Sequence, residues 1–164
     1  MSCAGSITLE SAIPNTASQW SSEGTAMHEV AAWCLTEHWR AVKRIGERIP
    51  VHAAGEEPRF VEFDDEMADL VQGYVDTVRN IALHARARPL IEKRVDFSEF
   101  VGVPGQFGTA DCIIVDSEQG ELFVIDLKTG RTPVHVENNS QLMLYALGAL
   151  RMLADQEVDD EQLW

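Results

Sequence analysis

Between Asp64 and Lys128 the spacing of apolar residues changes from a helical period to a strand period, which restricts the chain to folds that pack helices on a sheet. Met67, Leu70, Val71, Tyr74, Val78, Ile81 and Ala82 form one helical stripe. Asp64 suits the N-cap of that helix, with Asp65 and Glu66 in its first turn. His84, Arg86 and Arg88 lie near its end and Pro89 stops it. Alternation follows. Ile91, Val95 and Phe97 share one predicted face, with Lys93 breaking the pattern, while Glu92, Arg94 and Asp96 share the other. Gly102, Pro104 and Gly105 make a turn. Phe107 to Val115 predicts a second strand and Leu122 to Lys128 a third, joined by a polar connection from Asp116 to Gly120.

Upstream, the polar stretch from Glu10 to Gln19, with Pro14, reads as loop. A first helix is predicted from about Ser22–Thr25 to about Ile45. Met27, Val30, Ala31, Cys34, Leu35 and Val42 lie along one face of it, and Gly46 and Pro50 mark its end. Val51 to Phe60 is a loop or a weak strand. Asn138 or Asn139 caps a last helix carrying Leu142, Tyr145, Ala146, Ala149 and Leu150. The order is helix, helix, three strands, helix, so the expected class is α/β, a small mixed sheet flanked by helices. The 164 residues suit one domain spanning 1–164, and a chain of that size buries roughly 70% of its unfolded surface.

Composition narrows the functional classes. No apolar run approaches the roughly 20 residues of a membrane span, and Met1 to Glu10 lacks the basic and apolar regions of a secretory signal. The expectation is therefore a cytoplasmic protein with no membrane partner. Cys3, Cys34 and Cys112 are far apart and odd in number, so no disulfide framework or zinc knuckle is implied. The net charge is −14, from 27 acidic and 13 basic residues. That balance opposes simple nucleic-acid binding, which needs clustered Lys and Arg against phosphates. Much of the acid lies away from the candidate site, at Glu56-Glu57, Glu62, Asp64 to Glu66 and Asp155 to Glu161.

The chemistry is concentrated on the second and third strands. Gly108-Thr109-Ala110-Asp111 opens one apolar strand with a carboxylate, and Ile125-Asp126-Leu127-Lys128 ends the next with a carboxylate and an ammonium. Residues two apart on a strand share a face, so Asp126 and Lys128 point the same way, about 6–7 Å apart at Cα. In an antiparallel hairpin Asp111 and Asp126 approach each other at one end of the sheet. Close carboxylates repel. A hard divalent cation removes that penalty with one or two protein carboxylates, and a metal, two carboxylates and a nearby lysine are the parts that phosphodiester hydrolysis needs. An Asp–Lys pair alone is far more often a plain ion pair; the preceding Gly-Thr-Ala-Asp strand is what raises the odds of chemistry.

Four separated segments then resemble, in order, the motifs of RecB-type nucleases of the PD-(D/E)XK superfamily. They are Gly24-Thr25-Ala26-Met27-His28-Glu29, Gly108-Thr109-Ala110-Asp111, Val124-Ile125-Asp126-Leu127-Lys128-Thr129-Gly130, and Asn139-Ser140-Gln141-Leu142-Met143-Leu144-Tyr145-Ala146. The opening Ser2-Cys3-Ala4-Gly5-Ser6 is similar to the N-terminal segment of phage-encoded exonuclease-like members. The resemblance implies a restriction-endonuclease-like core and metal-dependent hydrolysis of DNA, exonuclease-like, in phage or bacterial DNA processing. It implies Mg2+ or Mn2+ held by His28, Asp111, Asp126 and the carbonyl of Leu127, with Lys128 as the catalytic lysine. Gln141 and Tyr145 match the family's Gln-x-x-x-Tyr pair, which contributes to the site and to DNA contact.

The residues themselves are consistent with this. His28 lies at the edge of the first helix's apolar stripe and can face the sheet, and neutral imidazole is a good ligand. Gln141 and Tyr145 are four apart and share a helix face. Glu92, on the polar face of the first strand, is either a supporting residue of the site or merely solvated. His38, His52, His84 and His135 read as surface residues. Trp20, Trp33 and Trp39 offer stacking faces for bases, although packing is their commoner role. The chain departs from the family after the Gln-x-x-x-Tyr helix, where relatives continue into another strand. A protein partner or homo-oligomer completing the sheet is the corresponding expectation, and a catalytically inactive binding or assembly module is the alternative to an enzyme. No four-cysteine set is present for an iron–sulfur cluster.

Overall fold

The structure is a computed structural model and describes residues 19–52, 57–130 and 135–155. Helix α1 spans Gln19–Glu37 and a single 3-10 turn follows at Ala41–Arg44. Strands β1 (Arg48–Val51) and β2 (Arg59–Glu62) pair antiparallel, which resolves the loop-or-strand ambiguity of that region. Helix α2 is Asp65–Ala85 and strand β3 Leu90–Asp96; the short helix α3, Ser98–Val101, leads into β4, Phe107–Asp116. Strand β5 is Glu121–Ile125 and helix α4 Ser140–Asp155. The chain is thus an α/β fold with two small antiparallel sheets flanked by helices, the larger ordered β3-β4-β5. The expected mixed sheet is not seen among the described residues. Each sheet neighbour is reached by a short connection, whereas a parallel pair needs a crossover of a dozen or more residues.

The three-stranded sheet has a helical layer on each face. Cys112 and Ile114 of β4, with Ile91, Phe123, Ile125 and Leu127, pack against α1 and α2. Ala110, Ile113 and Val115 of β4, with Leu90, Val95, Leu122 and Val124, pack against Ala149 and Tyr145 of α4. Strand β4 is the central strand and its residues Ala110, Cys112, Ile113 and Ile114 are completely buried. Burial pushes the Cys112 thiol up to about 12 and also raises that of Cys34, and both side chains belong to the core. Cys3 lies outside the described residues, as do Ser2 to Ser6, the predicted loop from Glu10 as far as Ser18, and Gln156 to Trp164, while Gln19, the last residue of that predicted loop, opens α1.

Three sequence expectations need correction. Helix α1 ends at Glu37, not near Ile45, because His38 adopts a left-handed backbone (φ 58°) and Trp39 N–H closes the end on the Cys34 carbonyl at 3.1 Å. The signal lies in another element: Arg79 of α2 donates to the Cys34 and Trp39 carbonyls, both at 2.9 Å, and so caps α1 from outside. Gly46 instead turns the chain into β1. Strand β5 ends at Ile125, so Asp126 and Lys128 leave the ladder just beyond it.

The third correction concerns β3. Ile91 does not share a face with Val95 and Phe97, because Leu90 packs with those two toward α4 while Ile91 packs on the opposite side. The alternation changes phase at Glu92, a non-glycine residue at φ 47°. The N-cap expectations hold. Asp64 accepts from Met67 N–H at 2.9 Å, and Asn139 accepts from Gln141 and Leu142 N–H at 3.0 and 3.2 Å. Trp33 and Trp39 stack on each other at 6.0 Å, and the Arg44 guanidinium lies over Trp33. His38, His52, His84 and His135 are exposed.

Helix α4 meets β3 at a glycine. A Cβ on Gly148 would lie 2.9 Å from Val95 Cβ and 3.1 Å from the Asp96 carbonyl oxygen, neither of which is a flexible tip. Gly73 of α2 has nothing within 4 Å of the same point. Gly148→Ala is therefore expected to destabilise by about 1–3 kcal/mol despite its gain in helix propensity. Gly73→Ala should stabilise by about 0.5–1 kcal/mol. Urea denaturation of both variants checks the pair, and equal stabilisation by both would contradict this packing of α4.

Candidate metal centre

Asp111 is the hub of the site. It sits in the buried centre of β4 with a residue exposure of 9%. One oxygen, Oδ2, accepts the N–H of Leu127 at 2.6 Å, and the other, Oδ1, faces His28 Nδ1 of α1 at 3.2 Å. A buried carboxylate is tolerated only with such partners. Here they come from the segment after β5 and from the opposite helical layer. The Asp111 hydrogen bond and the charges of Asp111, Glu92 and Asp126 raise the His28 pKa from 6.5, against the opposing effect of burial.

Glu92 faces the same point from β3. The β3–β4 register pairs Ile91 with Cys112 and Lys93 with Ala110, which sets Glu92 directly opposite Asp111. Ligand-type atoms of His28, Glu92 and Asp111 all lie within 4.8 Å of one another. Burial, followed by the Asp111 charge, raises the Glu92 pKa, and His28 opposes this. Two carboxylates and an imidazole from three separate elements form a donor set suited to a divalent cation of the Mg2+ or Mn2+ class.

Asp126 and Lys128 form the second half of the site. Their side chains point the same way, as the two-residue spacing predicts, with Lys128 Nζ 2.5 Å from Asp126 Oδ2. Leu127 between them is buried in the core on the α1 and α2 side of the sheet. Asp126 is not one of the residues gathered within 4.8 Å, although its charge reaches His28. Its Oδ2 is buried and makes no well-directed hydrogen bond, the Lys128 contact being one of distance and charge. Leu127 enters the site through its N–H.

The Gln-x-x-x-Tyr pair continues this line. Lys128 Nζ donates to Gln141 Oε1 at 3.1 Å, and Gln141 Nε2 donates to Tyr145 Oη at 3.0 Å. The chain Asp126–Lys128–Gln141–Tyr145 thus fixes the ammonium, which stays 41% exposed at the side chain and open to an anion. Every predicted site residue therefore falls in one connected region, with Asp126 displaced toward Lys128 and Glu92 brought in beside His28 and Asp111.

Two glycines make the convergence possible. A Cβ on Gly24 of α1 would stand 3.0 Å from Thr129 Oγ1, so the segment carrying Lys128 approaches that helix closely. A Cβ on Gly108 would stand 2.3 Å from Tyr145 Cε1, so the ring lies directly over the strand at that residue. Sequence reasoning missed Tyr74. It was placed only in an apolar stripe, yet its hydroxyl is buried with no hydrogen-bond partner. Burial raises its pKa far above the usual phenol range, and the charges of Asp111, Glu92 and Asp126 add to that shift. Asp126 Oδ2 is likewise a buried polar atom without a hydrogen-bond partner. Next to the site, a cleft of about 630 Å³ is lined by Glu23, Met27, Asp64, Glu66, Met67, Leu70, Thr129 and Gly130.

Gly108→Ala should push the Tyr145 ring aside at little cost in stability, because the atoms met are the tip of a side chain. The chain holds two tyrosines, Tyr74 and Tyr145. Ring-labelled tyrosine NMR should show the Tyr145 signals move and those of Tyr74 stay. Unchanged Tyr145 signals would contradict the contact.

Comparison with known proteins adds a family and no activity. No solved structure matches the chain. Residues 1–157 match one family over nearly the whole sequence. The chain belongs to the family described as "Protein of unknown function (DUF2800)".

Proposed function

We propose that this protein is a divalent-metal-dependent deoxyribonuclease of the PD-(D/E)XK type with a restriction-endonuclease-like core, exonuclease-like in action and serving phage or bacterial DNA processing. The observation that carries the reading is the meeting of His28, Glu92 and Asp111 from three elements, beside an exposed lysine held by Asp126 and Gln141. Support also comes from the order of the four motif segments along the chain. When bound, Mg2+ or Mn2+ would supply Lewis acidity toward a phosphoryl oxygen and favour deprotonation of an attacking water.

The side chains have distinct tasks in this scheme. His28, Asp111 and Asp126 would provide the imidazole and carboxylate groups around the cation. Lys128 brings a positive charge to the phosphate and offsets the negative charge that grows on it. Gln141 and Tyr145 hold the lysine and offer hydrogen bonds at the mouth. The cleft rimmed by Glu23, Asp64 and Glu66 repels phosphate, so the nucleic-acid backbone is expected to pass on the Lys128–Gln141 side.

A second reading has an observation of its own. The net charge of −14 leaves little long-range attraction for DNA. It favours a nuclease-like binding or assembly module, or an enzyme delivered to DNA by a basic protein partner. No helix among the described residues is long and apolar enough to cross a membrane.

Cleavage of end-labelled linear DNA distinguishes these readings. Activity is expected with Mn2+, none with EDTA, and a loss of about 100-fold or more in Lys128→Ala. A folded chain inactive on DNA under all these conditions, or one equally active with EDTA and without Lys128, defeats the nuclease reading.

A further inference from the structure

We propose that Glu92 is a direct ligand of the divalent cation, taking the place beside His28 and Asp111 that the motif resemblance gives to Asp126, and that the β3 backbone is distorted to put it there. The proposal rests on the metal-dependent reading above and goes beyond it by reassigning a ligand.

The geometry points to this through three observations, the first two of them aspects of one distortion. First, Glu92 has φ 47° in the middle of a strand, where extended backbone is the rule and a non-glycine residue in the left-handed region is uncommon. Second, the strand changes phase at this residue. Leu90 and Val95 face α4 although they are five apart, and strict alternation would put them on opposite faces. The same change occurs on β4, where Ala110 faces α4 and Cys112 faces α1 and α2. The two changes meet at the Glu92–Asp111 position of the register, so the ladder on both strands is bent around those two carboxylates. Third, Asp126 is paired by charge with Lys128. Its Oδ2 is 2.5 Å from Lys128, and it stands outside the His28, Glu92 and Asp111 group.

A strand has no reason of its own to turn a glutamate toward an aspartate. Without a cation, the arrangement sets two carboxylates together and strains the backbone, and both effects oppose folding. Such a combination persists where binding requires it.

The test compares Mn2+ binding by isothermal titration with the metal-free melting temperature in EDTA, for the intact chain, Glu92→Gln, Glu92→Gly and Asp126→Asn. Glu92→Gln should weaken Mn2+ binding by at least about tenfold, and Asp126→Asn should weaken it less. Both Glu92 variants should melt at or above the temperature of the intact chain in EDTA, Glu92→Gly highest, because glycine accepts the left-handed backbone. Undiminished Mn2+ binding by Glu92→Gln would overturn the assignment and leave the metal reading standing. Weakened binding together with a lowered metal-free melting temperature would show that Glu92 acts through the fold, and would also overturn it. Absence of Mn2+ binding by the intact chain would remove the metal reading and this proposal together.

Discussion

The Asp111 carboxylate holds the architecture together. It is buried on the central strand, and its two oxygens reach in different directions, to the Leu127 amide at 2.6 Å and to His28 at 3.2 Å. Through these contacts β4 fixes the segment that follows β5 and draws α1 onto the sheet. Hydrogen bonds to a charged group are worth about 1.5–3 kcal/mol each, and a buried donor left unpaired costs about 1–3 kcal/mol. The Leu127 amide therefore depends on Asp111 as much as Asp111 depends on it. That mutual dependence places Asp126 and Lys128, on either side of Leu127, at one edge of a carboxylate group rather than in open loop. The path from sequence to site runs through this one side chain.

Around it the chain accepts several local penalties. Glu92 takes a left-handed backbone, two carboxylates face each other across a ladder, and a tyrosine hydroxyl is buried without a partner. Each is unfavourable for a strand or a core, and all three gather in the same region. Sites of function are where local rules are broken while the surrounding packing holds. The surrounding packing here is ordinary: an apolar layer of α1 and α2 on one side of β4, and α4 on the other.

Much of this was legible in the residues because the signals were local. The Asp64 cap, the stripe of α2, the hairpin of β4 and β5, and the Asn139 cap each depend on neighbours a few positions away. The pairing of Asp126 with Lys128 follows from a spacing of two, and that of Gln141 with Tyr145 from a spacing of four. What the sequence concealed depends on distant partners. Helix α1 stops at Glu37 because Arg79, on another helix, caps it. The period-two reading leaves Glu92 either supporting the site or solvated, whereas a phase change on β3, matched on β4, sets it beside Asp111 while it stays exposed. Gly108 reads as an ordinary strand residue until Tyr145 is seen lying over it. The family description carries no activity, so the functional reading depends on this geometry and on the motif order.

The central claim is that His28, Glu92 and Asp111 converge on one cation. The most direct measurement is the anomalous difference density of a crystal grown with Mn2+. The account predicts a peak within coordination distance of all three side chains, with Asp126 still turned to Lys128. A peak seated on Asp111 and Asp126 with Glu92 turned away, or no peak in this region, would contradict it.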